Sequence, residues 1–76
     1  MKDLEYYMSL PYQIVIEPDV EEGGYTVYCP ELKGCITCVD KMSEIEEMIN
    51  DAKRNWFETM LEEGNAIPEP KVYMVG

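Results

Sequence analysis

Three cysteines, Cys29, Cys35 and Cys38, fall within ten consecutive positions, and the spacing Cys-x5-Cys-x2-Cys superficially resembles a zinc site with Asp40 as a conceivable fourth ligand. A structural zinc site is normally completed by four cysteine or histidine ligands on a loop or knuckle, and this chain has no histidine. If residues 35–39 form a strand, side chains alternate between faces, so Cys35 and Cys38 point to opposite sides and cannot chelate one ion. A redox reading of Cys35-Ile36-Thr37-Cys38 needs a thiol at a helix N-terminus, and the helical pattern starts only about eight residues later. Three thiols cannot all pair within the chain. The sulfurs therefore read as one or two small core hydrophobes and a bystander near the surface. A cysteine-based metal or redox protein is the weaker alternative.

Hydrolytic chemistry finds no better footing. Without histidine the common triads and general bases are missing. A two-metal nuclease needs carboxylates that converge from strand interiors, whereas Gln13-Ile14-Val15-Ile16 and Val72-Tyr73-Met74-Val75 supply none. Gly23-Gly24 serves a hairpin better than a phosphate loop. The chain is read as no enzyme, with no metal and no cofactor.

The elements that would position these residues follow from punctuation and period. Tyr12–Glu17 is rich in β-branched and aromatic residues and stops at Pro18. After the turn residues Asp19–Gly24, Tyr25–Cys29 resumes the strand pattern and predicts an antiparallel hairpin. Pro30 and Gly34 bound a second corner, and residues 35–39 form a short third strand. Ser43 with Glu46 three residues later predicts a capping box and a helix from about Glu44. Ile45, Met48, Ile49, Ala52, Trp56 and Met60 make its apolar stripe, Phe57 and Leu61 widen it, and Gly64 ends it. Ile67-Pro68-Glu69-Pro70 is an extended connector, and Lys71–Val75 can form a fourth strand. The expected fold is α+β, with the order β-β-β-α-β. It has a four-stranded mixed sheet in strand order 3-2-1-4, and one helix is packed on one face.

At 76 residues the chain makes one domain, 1–76, and buries only about 60 to 65% of its unfolded surface, so a partner chain is a natural source of added stability. No run approaches the roughly 18 apolar residues of a membrane span, and Met1–Glu5 is no signal peptide, which makes the cytoplasm the default location. Sixteen acidic residues against six basic ones give a net charge of −10. That charge repels nucleic acid and suits a basic protein partner, although it can also do no more than keep a small domain soluble. The sheet face away from the helix, with Val15, Val27 and several tyrosines, and the strand edges are left for a partner or a second copy to cover.

Several of these strings together resemble a known pattern. Asp3-Leu4-Glu5-Tyr6-Tyr7 with Leu10-Pro11-Tyr12, Glu22-Gly23-Gly24-Tyr25, the corner Pro30-Glu31-Leu32-Lys33-Gly34-Cys35-Ile36-Thr37, the helix with Trp56 and the terminal Ile67-Pro68-Glu69-Pro70 resemble the HicB family of antitoxins over nearly the whole chain. The resemblance implies a partly degraded ribonuclease-H-like fold. It also implies a role in neutralising a small basic toxin, HicA, an mRNA-cleaving ribonuclease, by covering its catalytic surface. Many members continue into a DNA-binding domain; this chain ends at Gly76, so direct DNA binding is not expected. The preferred reading is an antitoxin of this type, a homo-oligomer (dimer or tetramer) pairing through a strand edge or the uncovered face. The alternative is a stand-alone HicB-like regulatory module without a toxin. Candidate partner contacts are the acidic and aromatic residues around the hairpin and corner: Glu17, Asp19, Glu21, Glu22, Tyr25, Tyr28 and Glu31.

Overall fold

The computed structural model of the protein describes residues 2–70. Three strands, β1 (Val15–Pro18), β2 (Tyr25–Tyr28) and β3 (Ile36–Val39), form an antiparallel sheet in the order β1-β2-β3. A short helix α1 (Leu4–Met8) precedes it, and a 19-residue helix α2 (Ile45–Glu63) follows and packs on one face. The four-stranded mixed sheet of order 3-2-1-4 is therefore corrected: among the described residues the sheet has three strands, all antiparallel. The fourth strand expected over residues 71–75 lies outside the described residues. That expectation rests on local β-propensity, which favours an extended chain but specifies no pairing partner.

The helix α1 is not among the elements expected from the sequence. The Asp3 carboxylate accepts from the Tyr6 N–H at 3.0 Å and caps it, which satisfies a donor that a five-residue helix otherwise leaves to water. Its stability comes from packing, because so short a helix does not hold alone. Tyr7 is buried and stacks on Phe57 with ring centroids 5.6 Å apart, and Tyr12 meets the same ring at 5.5 Å.

The start of α2 also differs from expectation. Ser43 does not cap it; a single 3-10 turn over Met42–Glu44 leads in, and the Glu44 carboxylate accepts from the Lys41 N–H at 3.1 Å. The row turned into the core is Ile45, Ile49, Lys53 and Phe57, at four-residue steps, while Ala52 and Trp56 are half-buried and Met48 and Leu61 are exposed. Gly64 ends the helix at φ 70°, as its position predicts, and Asn65 N–H reaches back to Met60 C=O at 3.0 Å.

Phe57, Leu32, Ile49, Val27 and Cys29 are the fully buried side chains at the centre. Val27 thus faces α2 and not the uncovered side. The parity follows from the register, in which Ile16, Val27 and Thr37 share the helix-facing side while Val15, Tyr28 and Ile36 share the open one.

Candidate partner-binding surface

The corner Pro30–Gly34 is built as framework. Leu32 N–H donates to Cys29 C=O at 3.0 Å and Cys35 N–H to Leu32 C=O at 2.9 Å, so two short loops of hydrogen bonds close the turn. Gly34 sits at φ 91°, a conformation that costs any residue with a Cβ. Leu32 points inward at 1% exposure, and the Trp56 indole N–H donates to Lys33 C=O at 2.9 Å, tying α2 to the corner. The Ile67–Pro70 connector is held in a similar way: Tyr12 O–H donates to Pro68 C=O at 2.6 Å, and the Glu69 carboxylate accepts from Tyr6 O–H at 2.9 Å and pairs with Lys2. The hydrogen bonds from Lys2 and Tyr6 hold the Glu69 carboxyl below the ordinary carboxylate range.

The three sulfurs divide as strand alternation requires. Cys29 and Cys35 are buried side by side on the helix-facing side, and Cys38 is exposed on the open face. The hydrogen bond between the buried thiols holds Cys29 below its ordinary value, with the Lys53 ammonium assisting and burial opposing. The same contact and burial push Cys35 up. Among the described residues no group of three or more histidine, cysteine or acidic side chains could hold a metal ion.

The seven candidate contacts do not form one patch. Asp19 shapes the hairpin: its carboxylate accepts from the N–H groups of Glu21 and Glu22 at 3.0 and 3.1 Å, an arrangement that substitutes for a backbone turn. Glu21 and Glu22 project into solvent beyond it. Glu17 and Tyr28 lie on the open face, where Tyr28 O–H donates to the Glu17 carboxylate at 3.2 Å, and this bond raises the Tyr28 phenol. Tyr25 faces the other way, half-buried against the core between Pro18 and Val39. Glu31 is at the far end of β2, on the corner, and accepts from Gln13 N–H at 3.0 Å.

Sequence reasoning named Val15 and Tyr28 for the open face but did not place Ile36 there. Val15, Tyr28 and Ile36 form one cross-strand row there, with Ile36 57% exposed, next to the row Glu17, Thr26 and Cys38. The signal was available in the alternation of Ile36-Thr37-Cys38-Val39, once the phase is fixed by burial of Val39. Among the described residues no helix is long and apolar enough to cross a membrane.

Comparison with known proteins gives this framework a context. The model of a family described as the HicB-like antitoxin of bacterial toxin-antitoxin systems matches residues 12–74. Antitoxin HicB 1 of Photorhabdus laumondii subsp. laumondii is 39% identical over 62 residues, which cover 82% of this chain and 39% of that protein. The UPF0150 protein ssr1765 of Synechocystis sp. is 31% identical over 58 residues, covering 76% of this chain and 72% of its own length.

Proposed function

Because the chain belongs to the HicB-like antitoxin family, we propose that it neutralises a small basic toxin of the HicA type, an mRNA-cleaving ribonuclease, by direct protein-protein contact. The observation that carries this reading is the family match over residues 12–74. Charge supports it independently: at −10 the chain attracts a cationic partner and repels the phosphate backbone that a ribonuclease seeks, so it competes for the toxin without binding RNA itself.

The role needs no chemistry from this chain. Inhibition by coverage requires a surface that excludes substrate from the partner's active site, and binding energy is the only input. Glu21 and Glu22 at the hairpin tip and Glu17 on the open face steer the encounter, since exposed carboxylates act mainly on association rate. Tyr28 and Ile36 supply apolar contact. Asp19 and Tyr25 act through the scaffold, one by shaping the turn and the other by packing. Self-association through surface that the toxin leaves free, in the cytoplasm, completes the reading.

Co-expression with the basic protein encoded by the neighbouring reading frame tests it. Growth arrest caused by that protein alone should be relieved, and the two chains should co-purify. Arrest that persists in the presence of this chain, with the two eluting separately, would sink the proposal.

A further inference from the structure

The two free edges of the sheet differ in what they offer. Cys29 N–H donates to Cys35 C=O at 3.1 Å, which fixes the phase of the β2–β3 ladder: Cys35, Thr37 and Val39 turn their main-chain groups toward β2. Ile36 and Cys38 therefore direct both N–H and C=O outward. The same phase carried across β2 points Ile16 and Pro18 outward on β1, and Pro18 has no N–H to give. Proline blunts one edge; among the described residues the other is bare.

Beside the bare edge runs a groove of about 530 Å³ between β3 and α2. Met48, Ala52, Trp56 and Met60 give it an apolar floor, and Asp51 stands on its rim. Glu58 and Glu62 continue the Asp51 row at helical spacing, all exposed, and among the described residues no lysine or arginine lines the groove. Ile36 and Met48, at 57% and 39% exposure, leave large apolar surface at its mouth.

We propose that the free edge of β3 and the groove beside it dock an extended segment of a basic partner protein, added as a strand alongside β3. Main-chain bonds to Ile36 and Cys38 supply affinity, and alternate side chains of the incoming segment enter the groove. An apolar residue meets Met48 and Trp56, and a lysine or arginine two positions along, on the same face of the added strand, meets Asp51. A second copy of this chain fits less well, because it would bring one acidic row and one charge of −10 against another. The inference rests on the reading of the chain as an antitoxin that binds a basic toxin, and it names the surface and the form of the bound segment.

Amide hydrogen exchange by NMR tests it with two synthetic probes, a ten-residue peptide with threonine at every second position and valine and lysine in turn between them, so that both share one face of the strand, and its counterpart with glutamate in place of lysine. The lysine peptide at saturation should slow exchange at the Ile36 and Cys38 amides about tenfold or more, the glutamate peptide should not, and the Asp51→Lys/Glu62→Lys variant should bind the lysine peptide roughly tenfold more weakly with an unchanged unfolding curve. Equal effects of the two peptides, protection at Ile16 instead, or protection of Ile36 and Cys38 that rises with the concentration of the chain alone would overturn the proposal. The toxin encoded by the neighbouring frame separates the two readings. Amide protection by the lysine peptide with no toxin binding keeps the docking site and removes the antitoxin role. Toxin bound while Ile36 and Cys38 exchange as in the free chain does the reverse.

Discussion

The Pro30–Gly34 corner and the Asp19–Gly24 hairpin sit at opposite ends of β2, and they are built on opposite principles. At the corner Leu32 is sealed at 1% exposure, two thiols flank it in the core and Trp56 bonds its backbone. At the hairpin Val20 stands 92% exposed, and beyond the Asp19 carboxylate little but solvent surrounds Glu21 and Glu22. The corner constrains its sequence by packing, because Cys29, Leu32 and Cys35 are buried together, and by backbone, because Gly34 holds a positive φ. At the hairpin only Asp19, Gly23 and Gly24 are held to type by the turn, and the residues at the tip have only to carry charge.

If this contrast holds, substitutions should grade from large stability losses at the packed end to effects on association alone at the charged end. Phe57→Ala removes the ring on which Tyr7, Tyr12 and Trp56 converge and should cost about 3–5 kcal/mol, enough to leave so small a domain largely unfolded in a denaturant titration. Trp56→Phe keeps most of the packing but loses the bond to Lys33 C=O; a loss of about 1 kcal/mol is expected, and an unchanged midpoint would show that the corner holds without α2.

Tyr12 gives a pH signature of the packed end. Burial first, and the Glu69 charge second, push its phenol from 10.0 up to about 12. A folded value above the unfolded one means the contribution is complete below pH 10 and is lost as pH rises through about 12. Stability should therefore fall across that window in the native chain, and Tyr12→Phe should show a shallower fall while starting from a lower value, having lost the bond to Pro68 C=O. Smallest of all, Glu21→Gln with Glu22→Gln should leave stability within about 0.5 kcal/mol. Slower association with the proposed toxin partner and a weaker salt dependence should be its only marks, measured by stopped flow.

The same contrast explains what could be read from the amino acids. The three strands and the turns between them were legible because Pro18, Gly23-Gly24, Pro30 and Gly34 punctuate runs of β-branched and aromatic residues. Gly64 marked the helix end for a similar reason. The helix α1 was not legible, since five residues are too few for a period and its burial depends on Phe57, far along the chain. The phase of the α2 stripe was misread because Lys53 looks like a surface residue, yet its aliphatic stem lies in the buried row at 7% exposure. Parity was the other blind spot: Tyr25 and Tyr28 look equivalent in sequence, but a three-residue separation on a strand puts them on opposite faces, one against the core and one beside Glu17. Strand pairing beyond β1-β2-β3 could not be inferred from composition at all.

The division of the sulfurs also sets a time scale that can be watched. Cys38 meets solvent, so a thiol reagent added to the native protein consumes one equivalent at the rate of an open thiol. Cys29 and Cys35, at 2% and 3% exposure, react only when the sheet parts from α2. Their delayed modification is thus a clock for the opening of the domain, running in the unlabelled wild-type chain, and its rate should slow when a partner holds the fold closed.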